Sequence, residues 1–177
     1  DKSNSKLFQR KAQTAKGDRA IGISVDFSGS MPGFSTKGAM AATARAIEII
    51  GDDFIGQCWA DRSDDEFGYS QGNANIGLIT GPDEEFKHEQ LSVYGCGGTT
   101  PTADGIHNMT QIMDDMSARE KVIIVITDGK PNRPFGGEVS GEASEEESEE
   151  ELSDESVADA IEDAKRVVHE ARNDGYK

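Results

Sequence analysis

Cysteine is scarce in this sequence, which limits the chemistry that the chain can carry. The 177 residues include only two cysteines, Cys58 and Cys96. Two cysteines are too few for a zinc site, and their separation does not fit a redox motif. Nothing about them calls for an oxidising compartment. Aromatic residues are also few, at 6%, whereas glycine is abundant, at 20 residues. This combination favours a loop-rich α/β domain over an all-β one.

Long apolar runs are absent as well. No stretch reaches the roughly 18 consecutive apolar residues of a membrane-spanning helix, and no signal sequence is recognisable. On this basis we expect no membrane segment in this chain and a cytoplasmic location. The chain begins at Asp1 rather than at methionine, so we expect it to be a piece of a longer protein.

Basic residues are outnumbered by acidic ones. The chain has 18 Lys and Arg against 34 Asp and Glu, and its net charge is −16. Because such a chain repels nucleic acid, no nucleic-acid partner is expected. Residues 135–155 hold ten acidic residues and no basic one, which predicts a flexible, solvated insertion. The alternative for this insertion is that it screens a functional site. The acidic excess elsewhere indicates either a salt-loving (halophilic) source or an ordinary acidic domain.

The order of the predicted elements indicates the fold class. At this length the chain can form one domain with a sizeable core. Residues 1–19 are polar and mixed in charge and are interpreted as a lead-in or linker, so the domain spans residues 20–177. Strands and helices alternate, which predicts a doubly wound, mostly parallel α/β sheet with helices on both faces and one antiparallel edge strand. The predicted strands are Ala20–Asp26, Phe54–Ala60, Ile76–Thr80 and Lys121–Thr127, and the predicted helices are Lys37–Ile50, Thr102–Met116 and Ser156–Asn173.

Oxygen-bearing side chains follow two of these strands. Asp26 ends the first strand and is followed by Ser28 and Ser30, whereas Asp128 comes directly after the most apolar strand. The carboxyl ends of parallel strands meet at one edge of an open α/β sheet, where ligands bind. Thr100 precedes a predicted helix start and falls at the same edge.

Two carboxylates and three hydroxyls, without His or Cys, are ligands for a hard cation. They favour Mg²⁺, with Mn²⁺ or Ca²⁺ as alternatives. With so few charged ligands, the ion would accept a further carboxylate from a partner. The predicted metal ligands are Asp26, Ser28, Ser30, Thr100 and Asp128.

Three motifs in this order resemble the metal-ion-dependent adhesion site (MIDAS) of von Willebrand factor A (VWA) domains. They are Asp26-x-Ser28-x-Ser30, the threonines of Gly-Gly-Thr-Thr-Pro-Thr, and Thr127-Asp128-Gly129. The resemblance covers residues 20–177 and implies a Rossmann-like VWA fold whose last strands are missing here, since Tyr176-Lys177 would only begin a further strand. It also implies direct metal contact by the two serines and Thr100, with the two aspartates bound directly or through water. Thr99 stays the alternative to Thr100.

The resemblance implies two functions, neither of which makes this chain an enzyme by itself. In the first, the chain is a protein-binding module whose metal bridges to an acidic residue of a partner protein. In the second, it is the VWA subunit of an AAA+ ATPase-associated complex of the metal-chelatase type, because the basic lead-in Lys6–Arg19 is similar to that of the cobalt-chelatase subunit. A minor alternative is a Mg²⁺-dependent phosphoryl-transfer enzyme with Asp26 as the nucleophile, although Ser28 stands where such enzymes want a second carboxylate.

Overall fold

The computed structural model describes residues 18–31, 33–50, 52–61, 69–71, 74–82, 84–136 and 154–177. Most of the predicted lead-in and residues 137–153 of the predicted acidic insertion lie outside these ranges. No helix in the described ranges is long and apolar enough to cross a membrane. A short 3₁₀ helix covers His88–Ser92. The other elements are β1 (Arg19–Asp26), α1 (Gly33–Ile50), β2 (Asp53–Ala60), β3 (Tyr69–Gln71), β4 (Ala74–Thr80), α2 (Thr102–Asp114), β5 (Glu120–Ile126) and α3 (Asp154–Asn173).

The five strands form one sheet in the order β3-β4-β2-β1-β5. β1 is parallel to β2 and β5, whereas β4 is antiparallel to β2 and β3. The predicted fold class, a mostly parallel α/β sheet, is therefore confirmed. The single antiparallel strand lies second from the edge rather than at it, because the short β3 pairs along its outer side. The sequence around β3 is polar and rich in turn residues, so no hydrophobic alternation indicated a strand there.

Helices cover both faces of the sheet, as predicted. α1 packs Met40 on the face that presents Ile23 of β1. α2 and α3 pack on the other face, where Met109 and Met113 of α2 lie with Ala171 of α3. Both methionines are fully buried, so this face of α2 is part of the core. The loops after β1 and β5 and the loop before α2 all lie at the carboxyl edge of the parallel strands.

A buried polar network holds α2 against the sheet. Gln57 Nε2 donates to Ser24 Oγ at 2.9 Å and to the Gly105 carbonyl at 2.6 Å. Asn108 Nδ2 donates to Gln57 Oε1 at 2.6 Å, and Trp59 Nε1 donates to Ser24 Oγ at 2.9 Å. These four side chains are at most 3% exposed, so their hydrogen bonds must come from one another rather than from bulk water. The network fixes the start of α2 relative to the end of β1.

Lys177 pairs with the sheet along the outer side of β5. Its backbone N–H donates to the Lys121 carbonyl at 3.1 Å, and the Ile123 N–H donates to the Lys177 carbonyl at 3.0 Å. This is the hydrogen-bond pattern of a strand that begins parallel to β5.

Candidate metal site

Asp26 lies at the buried end of the candidate site. It ends β1 and is 0% exposed. Its Oδ1 accepts a hydrogen bond from the Ser28 backbone N–H at 2.7 Å, and its Oδ2 accepts one from Thr127 Oγ1 at 2.7 Å. Burial raises the pKa of Asp26, and the nearby charge of Asp128 adds to this, although the hydrogen bonds from Ser28 and Thr127 act in the opposite direction. A cation beside this carboxylate would relieve the cost of burying its charge.

The two serines connect the β1 loop to the β5 loop. Ser28 Oγ lies 3.3 Å from Ser30 Oγ, and Ser30 Oγ donates to Asp128 Oδ1 at 2.9 Å. Ser28 is fully buried, whereas Ser30 and Asp128 are exposed. The three side chains therefore form a line of oxygens that runs from the interior to the protein surface.

Thr100 brings the third loop into the same place. Its backbone is held on both sides by Asn132, since the Thr100 N–H donates to Asn132 Oδ1 at 2.6 Å and the Asn132 N–H donates to the Thr100 carbonyl at 3.2 Å. A methyl group placed on Gly129 would lie 3.7 Å from Thr100 Oγ1 and 3.6 Å from Ser30 Oγ. The two hydroxyls thus flank the same glycine, directly after Asp128.

The hydroxyl of Thr99 is directed to different partners. Thr99 Oγ1 donates to Asp61 Oδ2 at 2.8 Å and accepts from Arg133 Nε at 3.1 Å. Asp61 is the residue directly after β2, so it also stands at a strand's carboxyl end. Sequence reasoning missed the cluster of Thr99, Asp61 and Arg133. The position of Asp61 after a parallel strand was the signal that could have found it.

All five predicted ligands lie at the carboxyl edge of the sheet, on three loops. Backbone hydrogen bonds tie the first two loops together, from the Gly29 N–H to the Gly98 carbonyl at 3.0 Å and from the Gly97 N–H to the Phe27 carbonyl at 2.8 Å. Among the described residues no three His, Cys, Asp or Glu side chains group as a metal site. The candidate donors at this edge are two carboxylates and three hydroxyls, and such an oxygen-only set would suit Mg²⁺ better than a transition metal.

The fold is also found in solved structures. Two crystal structures of the pilus adhesin SpaC from Lactobacillus rhamnosus GG match at TM-scores of 0.51 and 0.50, with 19% and 18% identity, over 68% and 69% of this chain. This chain spans only 16% of the SpaC chain. The vWF domain of the type V pili tip protein Mfa5 from Porphyromonas gingivalis has a TM-score of 0.44 and 16% identity, over 63% of this chain and 38% of that one. No protein-family model and no curated protein sequence matches this chain. The comparison with SpaC thus supports the fold of this chain and nothing further.

Proposed function

We propose that this chain is a divalent-metal-dependent protein-binding module. In this proposal Mg²⁺ is held by Asp26, Ser28, Ser30, Thr100 and Asp128, and it bridges to a carboxylate of a partner protein. The observation that carries the proposal is that Ser30 Oγ lies 2.9 Å from Asp128 Oδ1 and 3.3 Å from Ser28 Oγ, while Thr100 Oγ1 of the third loop flanks the same Gly129 as Ser30 Oγ. Mn²⁺ and Ca²⁺ are the alternative ions.

The exposure of the ligands supports a role in binding. Asp26 and Ser28 are buried, whereas Ser30 and Asp128 are exposed, so the site is anchored in the core and still reaches the surface. Bound Mg²⁺ supplies positive charge that attracts a carboxylate. The chain's own residues hold that charge at a fixed place, because the loops are tied to each other by backbone hydrogen bonds. SpaC, in which a region covering 16% of the chain matches this fold, is a pilus adhesin, and protein binding by this chain would be a function of the same broad kind.

Replacing Ser28 or Thr100 with alanine tests the ligand set. We expect each change to weaken Mg²⁺ binding by about tenfold or more, since each removes one oxygen from the ion. We also expect Mg²⁺ to raise the thermal unfolding midpoint of the wild-type protein, because a ligand that binds only the folded state stabilises it. Isothermal titration calorimetry and thermal melts measure both effects.

Thr99→Ala is the matched control for this experiment, since it removes a neighbouring hydroxyl that contacts Asp61 and Arg133 instead. Its Mg²⁺ affinity should stay close to that of the wild type. If Thr99→Ala weakened binding and Thr100→Ala did not, Thr99 would be the ligand. Wild-type affinity in both Ser28→Ala and Thr100→Ala would rule the proposed site out.

The geometry gives less support to phosphoryl transfer. A nucleophilic carboxylate needs an oxygen that can reach the phosphorus atom. Asp26 is fully buried and both of its oxygens accept hydrogen bonds. With Mg²⁺ present we therefore expect the wild-type protein to hydrolyse p-nitrophenyl phosphate no faster than Asp26→Asn does. Turnover that is lost in Asp26→Asn would instead establish an enzyme.

A further inference from the structure

Arg133 is held beside the candidate metal site by one edge of its guanidinium group. Its Nε donates to Asp61 Oδ2 at 2.6 Å and to Thr99 Oγ1 at 3.1 Å. The Arg133 side chain is 42% exposed, against 19% for Asp61. Within the described ranges of the chain, the two terminal nitrogens Nη1 and Nη2 make no hydrogen bond. The guanidinium is thus oriented by Nε while its outer edge stays available.

That outer edge has the geometry that binds a carboxylate. Nη1 and Nη2 together present two parallel N–H donors, which match the two oxygens of a carboxylate. Because the contacts to Asp61 and Thr99 already orient the group, less side-chain entropy is lost when a ligand binds. An arginine with its terminal nitrogens engaged inside the protein could not act in this way.

Arg133 also lies next to the predicted ligands. The preceding residue, Asn132, hydrogen-bonds both backbone groups of Thr100, and Arg133 itself contacts Thr99. Thr99 and Thr100 are consecutive residues, whose Cα atoms are about 3.8 Å apart. The guanidinium, which contacts Thr99, is therefore close enough to the metal site for one short peptide to reach both.

The local charge favours an acidic partner. The chain as a whole has a net charge of −16, and at this edge three carboxylates stand against two basic side chains, namely Asp26, Asp61 and Asp128 against Lys130 and Arg133. A divalent cation at the adjacent site would add two positive charges and change the sum for this group from −1 to +1. Complementary charge would then steer an acidic ligand to this edge.

We propose that Arg133 is a second anchor for the partner, which therefore carries two carboxylates close together. One carboxylate binds the metal ion and the other binds Nη1 and Nη2 of Arg133. This inference rests on the proposed function, because it assigns the second contact of the same partner. The partner is an acidic peptide segment, and the spacing of its two acidic residues determines the affinity.

Synthetic peptides test this inference with the full chain saturated by Mg²⁺. One series has two aspartates separated by zero to four glycines, and in the matched series the second aspartate is replaced by asparagine. We expect the best two-aspartate peptide to bind about tenfold more tightly than its matched peptide, as measured by NMR chemical-shift titration. In Arg133→Gln and Arg133→Lys this ratio should fall to about twofold or less, because neither side chain has the guanidinium fork, while the Mg²⁺ affinity stays unchanged.

Arg119→Gln is the control, because Arg119 also pairs through Nε with an aspartate, Asp18, but lies directly before β5 at the opposite edge of the sheet. It should keep the wild-type ratio. Equal affinity for the two peptide series, with Mg²⁺-dependent binding of both, would overturn the role of Arg133 and leave the proposed function intact. If neither series bound in a Mg²⁺-dependent way, the proposed function would fail and the inference with it. A parallel loss of Mg²⁺ affinity in Arg133→Gln would make Arg133 a support for Thr99 and Thr100 only, and would overturn the inference.

Discussion

Replacing Gly105 with alanine is expected to destabilise the protein by about 3 kcal/mol. A Cβ atom at this position would lie 2.6 Å from two atoms of the Trp59 indole, which is far inside van der Waals contact. Trp59 is fully buried, and its Nε1 is hydrogen-bonded to Ser24 Oγ, so the ring has no space to move into. The helix would have to shift, and this would stretch the 2.6 Å hydrogen bond from Gln57 Nε2 to the Gly105 carbonyl.

Comparing the urea unfolding of Gly105→Ala with that of Gly38→Ala separates the effect of this clash from the effect of helix propensity. Both glycines lie within helices, but a Cβ on Gly38 of α1 would meet nothing within 4 Å. Alanine is favoured over glycine inside a helix by about 1 kcal/mol, so Gly38→Ala should be neutral or stabilising. A free energy of unfolding for Gly105→Ala within about 0.5 kcal/mol of the wild type would show that α2 is not packed against Trp59 in this way.

Replacing Asp26 with asparagine is expected to have opposite effects on metal binding and on the stability of the metal-free protein. Mg²⁺ affinity should fall by about 100-fold, since the site loses one of its two carboxylates. The metal-free protein should become more stable, because the buried charge disappears. Asparagine can keep both hydrogen bonds: its Oδ1 can accept from the Ser28 N–H, and its Nδ2 can donate to Thr127 Oγ1.

The pH dependence of this second effect follows from the raised pKa of Asp26, whose main cause is burial. An acid whose pKa is higher in the folded state than in the unfolded state destabilises the folded state when it is ionised, and this cost disappears as the pH falls and the group is protonated. The stability advantage of Asp26→Asn in EDTA should therefore be largest near neutral pH, should shrink as the pH falls through the raised pKa of Asp26 in the folded state, and should be lost below the pKa of the unfolded state.

Thermal melts in EDTA over this pH range, with Mg²⁺ titrations at neutral pH, measure both effects of Asp26→Asn. Asp115→Asn is the matched control, because it removes the same charge from an exposed position directly after α2, at the far end of the helix from the site. It should change neither quantity. A metal-free Asp26→Asn protein that is less stable than the wild type would show that the Asp26 charge is compensated inside the protein rather than by a metal ion.

The hydrophobic pattern was sufficient to predict the fold class and the edge of the sheet where the oxygen ligands meet. The continuous apolar runs of β1 and β5 predicted two central parallel strands. The structure confirms that the two strands are parallel and that β1 is largely buried. The prediction of a central, fully buried β5 is wrong for the described residues, because β5 is the last strand in the sheet order and its residues are only partly buried. Parallel strands place their carboxyl ends at the same edge. The neighbourhood of Asp26 and Asp128 therefore followed from the strand pattern alone, before any contact was known.

Features that depend on contacts between side chains of distant segments could not be predicted from the sequence pattern. Thr99 and Thr100 are adjacent and chemically identical, and only the tertiary structure turns the first toward Asp61 and the second toward Gly129. β3 forms by pairing with the outer edge of β4, whereas its own sequence shows no alternation of apolar and polar residues. These outcomes come from contacts between segments far apart in the chain.

The amino-acid sequence by itself determined which oxygen-bearing residues stand at the ends of apolar strands, because side-chain hydrophobicity and strand period are local properties of a chain. The tertiary structure alone decided that the Ser30 hydroxyl joins Ser28 to Asp128 and that Arg133 is oriented by Asp61. Hydrogen-bond geometry depends on distances of a few tenths of an ångström between separate loops. Those distances are set by the packing of the whole domain, including the buried network around Gln57 that holds α2 in place.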